Sequence, residues 1–427
     1  MLDSRIYRGS GASSSSSSIE TLATSAMASG TVPSSHPDWA NLLGEVLTLI
    51  AKRLSAVDYC SFSAVCTSWA SIASPENGMP RPLSLRKNEP YLIFSGDGVG
   101  NCQQSDFCTL FDYLDNSFTK IHHLPEIRGK WIIGSQFGWL AVIDELANPS
   151  LLNPFTRSQI ELPPITAHPE VEPVYDSEGS LAGYSCYDGR EYYTLEESQS
   201  ALVFRKLVLS SNPADGDFVA VAVDTGGTLM YTRPGYREWN IWRFPNGHGV
   251  ADVIYRDGKF LALTHFGDVY AMDICSPLSS PKASLFAKRY RGYIFCDTSY
   301  LVDSSGVLLQ VVRQEEFLKE ESRNRTCKIE ICSLDPETGT WSLVTSLGDH
   351  SLFVGCWYSA SLSAKEISWL QENRVYFTDD NWDKIPVRQE RVRDIGVFNL
   401  SDGSFGTCYP PDMRLTWPPP AWITSQI

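Results

Sequence analysis

Gly258-Lys-Phe-Leu-Ala-Leu-Thr264, His265-Phe-Gly-Asp268 and Val269-Tyr-Ala-Met-Asp273 read as a strand, a turn and a second strand. Asp257-Gly258 just before them supplies residues that accept positive φ, as a tight hairpin requires. His265 and Asp268 have the residue types to orient a general base, but no Ser or Cys nucleophile sits in a recognisable elbow. Their spacing is that of a hairpin turn.

The same layout recurs. Gly138-Trp-Leu-Ala-Val-Ile-Asp144 leads to Ser150-Leu-Leu-Asn-Pro-Phe-Thr156, and Tyr300-Leu-Val-Asp-Ser-Ser-Gly-Val-Leu-Leu309 leads to Cys327-Lys-Ile-Glu-Ile-Cys-Ser-Leu-Asp-Pro336. Tyr91–Phe94, Cys108–Phe111, Trp131–Ile133, Leu202–Phe204, Phe218–Val223 and Val307–Val312 add short apolar runs, and Asp97-Gly98, Asp188-Gly189, Asp215-Gly216 and Asp402-Gly403 add turn chemistry. Many short strands with regular turns indicate a sandwich, a barrel or a propeller. Repeats of about 40–50 residues favour the propeller, and 91–424 then holds roughly six or seven blades. Trp382-Asp383 is the single Trp-Asp pair, and no kelch pattern recurs. Two stretches, 166–200 and 313–326, break the pattern and read as long loops of the kind that carry recognition.

Composition sets the class. Of 427 residues, 43% are hydrophobic and 12% aromatic, which fits a globular chain with a sizeable core. No apolar run approaches the ~20 residues that span a bilayer, and no secretory signal opens the chain. The eleven cysteines include no Cys-x-x-Cys pair, and Cys60/Cys66, Cys102/Cys108 and Cys327/Cys332 lack zinc-ligand spacing. They read as reduced thiols of a cytosolic or nuclear protein. The formal net charge is −15; residues 1–90 carry seven basic and seven acidic side chains, so all of the excess acid lies in 91–427. That sign disfavours nucleic acid and would favour a basic partner.

The N-terminal part differs. Residues 1–36, with serines at every position from 13 to 18, read as a disordered leader. From 37 to 75 the pattern is helical. Leu43, Val46, Leu47, Ile50 and Leu54 share one helix face, and Ser55 with Asp58 has the form of a capping box opening a second helix. Val57, Phe62, Val65, Trp69 and Ile72 add more apolar surface than so small a module can bury, so it reads as a docking element. The Pro- and Gly-dense 76–90 is a linker to the domain at 91–424.

Trp39, Leu42-Leu43, Val46-Leu47, Ile50, Arg53-Leu54-Ser55, Asp58 and Val65-Cys-Thr-Ser-Trp69 resemble an F-box, the module that ties substrate-binding domains to the Skp adaptor of cullin–RING ubiquitin ligases. Where the family has Leu-Pro, this chain has Leu42-Leu43, followed by Gly44, a poor helix former. Leu124-Pro-Glu-Ile-Arg-Gly-Lys130, Gly134-Ser-Gln-Phe-Gly-Trp-Leu140, Leu152-Asn-Pro-Phe-Thr156, Ile160-Glu-Leu-Pro-Pro164, Val375-Tyr-Phe-Thr-Asp-Asp380 and Trp417-Pro-Pro-Pro-Ala-Trp422 are similar to plant F-box proteins of the KIB type, whose C-terminal domain is a kelch-like propeller. The resemblance implies a mainly β chain: a small all-α F-box module, then a six- or seven-bladed β-propeller. It implies a non-catalytic substrate receptor with a Skp-type adaptor, a cullin–RING ligase and an unidentified protein substrate as partners, and with no cofactor, nucleic acid or membrane. Leu42, Leu43, Val46, Leu47, Ile50, Leu54, Val65 and Trp69 are the expected docking or core residues of the F-box; sequence does not divide them between the two roles.

Other chemistries are weaker. Asp379, Asn381, Asp383 and Glu390 fall at EF-hand positions 1, 3, 5 and 12, but Lys384 stands where glycine is needed and Pro386 interrupts the loop. His122-His123 point to opposite faces of a strand. Gly96-Asp-Gly-Val-Gly100 lacks a following Gly-Lys-Ser/Thr. Two rival readings stay open: a propeller scaffold with a decayed F-box, and a sugar- or ester-active propeller enzyme with convergent carboxylates in its central channel.

Overall fold

The computed structural model describes residues 39–51, 54, 62–63, 65–73, 90–95, 108–113, 117–121, 124–154, 156–186, 189–195, 197–198, 204–244, 247–274, 282–290, 298–319, 323–355, 357–380, 394–407 and 421–424. The chain divides into two units, Met1–Asn41 and Leu42–Ile427. The described part of the first is the 3₁₀ turn Trp39–Asn41. The serine leader, the capping box at Ser55, and the Gly96, His122 and Asn381–Glu390 motifs lie outside the described residues.

Helix α1 spans Gly44–Ala51 and α2 spans Thr67–Ile72. The Leu43 carbonyl accepts from the N–H groups of Val46 (2.9 Å) and Leu47 (3.1 Å), starting α1 one residue after Leu43. Glu45 in the first turn complements the helix dipole. The described helix runs to Ala51, and the N–H of Leu54, expected on the same face, bonds the Ala51 carbonyl at 3.3 Å. Leu47, Ala51 and Phe62 form the buried centre of the module, with Phe62 and Trp69 rings 4.6 Å apart.

The β part comprises seven sheets among the described residues. Sheet I is ordered Ala421–Thr424, Pro90–Ser95, Cys108–Asp112, Ser117–Ile121. Sheet II runs Trp131–Gln136, Trp139–Ile143, Pro149–Leu152, Gln159–Glu161, and sheet III Phe204–Leu209, Ala220–Asp224, Leu229–Thr232, Asn240–Trp242. Sheet IV runs Val250–Arg256, Lys259–Thr264, Val269–Asp273, Lys282–Ala287, and sheet V Thr298–Ser304, Val307–Leu318, Arg323–Leu334, Trp341–Leu343. Sheet VI is ordered Tyr358–Ser363, His350–Gly355, Arg374–Phe377, Gly396–Asn399, Phe405–Gly406, with its second and third strands parallel. The first-named strands of the six neighbour one another in that order and return to sheet I, so the sheets close as a ring. Closure joins the two ends of the domain, pairing Pro90 with Thr424 and Ile93 with Ala421.

Among the described residues no backbone ladder joins one sheet of the ring to the next; polar side chains cross most of the joints. Ser135 Oγ donates to the Trp422 carbonyl (2.6 Å), and the Gln136 amide pairs with both the N–H and the C=O of Leu209 (2.7 and 3.2 Å). Lys206 Nζ meets Asp252 Oδ1 at 2.5 Å, and Asp252 Oδ2 accepts from Leu301 N–H at 2.7 Å. Ser304 and Ser361 hydroxyls bond at 2.7 Å. Between sheets VI and I the joint is aromatic instead: Phe353 packs edge-on against Trp422 at 4.9 Å, and Tyr113 stacks on Trp369 at 4.8 Å.

The repeat seen in the sequence is structural. Phe137-Gly138, Asp257-Gly258 and Ser305-Gly306 all have positive φ and turn the first hairpin of sheets II, IV and V. Asp215-Gly216 differs: Gly216 ends a 3₁₀ turn, Pro213–Asp215, inside a longer connection. The two stretches expected as loops carry strands. Val171–Tyr175, Leu181–Cys186 and Glu191–Thr194 form a seventh, three-stranded sheet inserted between II and III. Residues 313–326 extend a hairpin whose arms are twelve residues each. Their charge is partly internal, because Arg313 is fully buried: it donates to Asp394 (2.7 Å), Thr326 Oγ1 (2.6 Å) and the Thr378 carbonyl (2.7 Å).

Candidate functional site

Two surfaces are candidates for function. The first belongs to the helical module. Leu43, Val46 and Leu49 fall three residues apart along α1 and project outward, Leu43 at 74% and Leu49 at 60% exposure. Val65, ahead of α2, is 55% exposed. Leu47 lies on the other side at 1% exposure, and Leu42, Ile50, Leu54 and Trp69 pack with it. Of the eight residues singled out by sequence, the structure thus assigns five to the module's own core and leaves Leu43, Val46 and Val65 at the surface. Leu49 was missed. Its signal was the spacing of three from Leu43 and Val46, which the broader 3, 4, 7 stripe obscures.

The second is a cavity of about 470 Å³ within the ring, lined by residues on or beside the inner strands of sheets II to VI. Lys206, 4% exposed, spans it: its ammonium meets Asp252 and donates to Ser359 Oγ at 3.2 Å. Ser359, Ser361 and Ser363 alternate along the inner strand of sheet VI, the last donating to Asp349 at 3.1 Å. His350 Nε2 lies 3.0 Å from Ser305 Oγ. The acids in the lining are Asp303, paired with Arg256 at 3.5 Å, and the exposed Glu366. The lining is polar, with Lys206 already matched by Asp252. Neither member of that buried pair carried a sequence signal, because the partners are 46 positions apart.

Among the described residues no group of His, Cys, Asp and Glu could hold a metal ion, and no helix is long and apolar enough to cross a membrane. Burial, with Glu191 and Asp224 near one and Glu330 near the other, pushes the Cys186 and Cys332 thiols up to about 11. Both are therefore protonated and unreactive at neutral pH.

A helical module that keeps an apolar surface, in a chain that also carries a β-propeller, defines an F-box protein of the substrate-adaptor class. The chain belongs to the family with the KIB1-4 beta-propeller, whose model matches residues 110–399, while the F-box domain model matches 39–77. Among its relatives in Arabidopsis thaliana are F-box protein SKIP23, 27% identical over 91% of this chain and 96% of that one, and F-box protein KIB4, 22% identical over 86% of each. Putative F-box protein At4g22170 is 31% identical, over 85% of this chain and 89% of that one. The plant F-box and KIB-type resemblance of the sequence is thereby established.

Proposed function

We propose that the chain is the substrate-recognition subunit of a Skp–cullin–F-box ubiquitin ligase, docking on the Skp adaptor through the F-box and holding a protein substrate with the propeller. The observation that carries this reading is the row Leu43, Val46 and Leu49, with Val65, left exposed on a module whose interior is already closed by Leu47, Ala51 and Phe62. A row of large apolar side chains in water is the property of an interface. The subunit performs no chemistry: it raises the effective concentration of substrate beside a ubiquitin-charged enzyme, which suffices to drive transfer. A subunit of this kind would act in the cytosol or nucleus. Residues 37–75 would be the docking module and 91–424 the receptor domain.

Pull-down with a Skp adaptor tests this. Leu49→Asp should lose at least tenfold in retention with an unchanged melting temperature, because it costs the interface without touching the core. Leu47→Asp should lose both, since it places a charge where a leucine is fully buried. A wild-type chain that retains no adaptor would overturn the ligase reading and favour the scaffold with a decayed F-box, for which Leu43-Gly44 is the motivating departure.

A further inference from the structure

The inserted sheet between II and III has two unlike faces. Cross-strand pairing places Val171, Cys186 and Glu191 in one row, Glu172, Ser185 and Tyr192 in the next, and Pro173, Tyr184 and Tyr193 in the third. Val171, Tyr184 and Cys186 point inward into the core shared with sheets II and III, and the Tyr184 hydroxyl donates to the Leu146 carbonyl at 2.9 Å. Rows alternate in face, so Glu172, Ser185 and Tyr192 lie on the outer one.

On that outer face Tyr192 is laid against the sheet. A Cβ on Gly183 would overlap the Tyr193 carbonyl oxygen and come within 2.9 Å of the Tyr192 hydroxyl and 3.1 Å of its Cζ, so the glycine that the backbone requires there also leaves room for the ring to rest on the sheet. The hydroxyl donates to the Ala182 carbonyl at 3.3 Å. One side of the ring is thus supported by glycine, and the residue is still 51% exposed. Glu172 sits in the same row two strands away, about 10 Å across the sheet. Its carboxylate and that of Glu178, in the adjoining turn, are exposed and engage no other described side chain. Tyr175, the last residue of the same strand as Glu172, is also exposed. The segment is acidic in sequence, with Glu170 paired to Arg243. Between 166 and 200 the sequence has eight acidic residues and a single basic one, Arg190, nearly half of the chain's net charge.

We infer that this face is a recognition surface for an Arg- or Lys-bearing segment of a protein partner, with the guanidinium or ammonium over the Tyr192 ring and its charge answered by Glu172. A supported aromatic face attracts a cation through its quadrupole, and an arginine stem is long enough to lie along Ser185 and Gly183 toward the carboxylate. The inference rests on the reading that the propeller domain is the substrate-binding end of the molecule, and names the substrate class as one with a basic exposed segment.

The test uses the full chain and two fluorescein-labelled heptapeptides, one of alternating Gly and Arg and one with Glu for each Arg, read by fluorescence anisotropy. The Arg peptide should bind and the Glu peptide should not. Tyr192→Ala and Glu172→Lys should each weaken binding about fivefold or more, while Tyr192→Phe, which keeps the ring, stays within about twofold of wild type. Glu337→Lys makes the same charge change at an exposed turn of sheet V and should also stay within about twofold. Should Tyr192→Ala fail to fold by its thermal melt, Glu172→Lys against Glu337→Lys decides. Equal losses for these two, or no Arg-peptide binding by wild type, would overturn the inference. Adaptor retention measured on the same preparations separates its failure from failure of the ligase reading.

Discussion

Leu43 stands where the F-box pattern usually has proline, and the structure gives that position a defined job. Its carbonyl receives the N–H groups of Val46 and Leu47, and its side chain, largely in water, contributes nothing to the core. Proline keeps the carbonyl and fixes φ near the value that precedes a helix, so Leu43→Pro should leave the melting temperature unchanged while adaptor retention rises. A loss of retention would show that Leu43 is itself the better contact here. Gly44 behind it is no obstacle: an added Cβ would reach only ordinary contact with Ile72 Cδ1, at 3.4 Å. The same residue-level view explains why sequence could name the module but not divide its apolar residues. Leu47 and Leu49 are equally hydrophobic, and the partner that decides their orientation is Phe62, which a helix-face pattern for α1 does not include.

Hairpins are the element that sequence reads well, because the cause is local. Asp257-Gly258 needs positive φ at two consecutive residues, and its residue types announce it. The inserted sheet escaped because its short strands carry Glu172, Pro173, Glu191 and Thr194, which look like loop residues until Tyr184 and Val171 are seen packed beneath. The 313–326 hairpin escaped because the groups satisfying Arg313 come from Thr378 and Asp394, more than sixty positions on. One hairpin turn yields a pH prediction. His265 occupies the notch left by Gly227 and Gly249, where an added Cβ would lie 3.0 and 2.9 Å from its ring atoms. Burial, helped by Arg205, lowers its pKa to about 4. The unfolded chain then binds a proton below about pH 6.5 that the folded chain refuses until about pH 4, so stability is lost as pH falls through that window. His265→Gln should remove this part of the slope in thermal melts between pH 6.5 and 4. An unchanged slope would mean that His265 protonates freely in the fold.

At the scale of the molecule, the ring is held by small polar stitches at most joints and by one aromatic joint, where its ends meet. Trp422 is the keystone of that joint: its indole meets Phe353 and its carbonyl receives Ser135. Trp422→Ala should cost about 3–5 kcal/mol, read as a marked fall in melting temperature, whereas a shift of a degree or less would show that closure does not depend on it. The propeller class was legible because it repeats a local unit; the closure was not, because nothing in Ala421–Thr424 says that it pairs with Pro90. That pairing also orders events during synthesis. The innermost strand of sheet I is the last made, about 330 residues after its partner, which at roughly 5–20 residues per second is some 15–65 s later. The F-box helices leave the ribosome before the propeller, so under the proposed function a nascent chain would display its adaptor surface while the receptor is still an open arc. Under that proposal, a message cut short before Ala421 would encode a competitor: a chain able to occupy an adaptor and bring it no finished receptor.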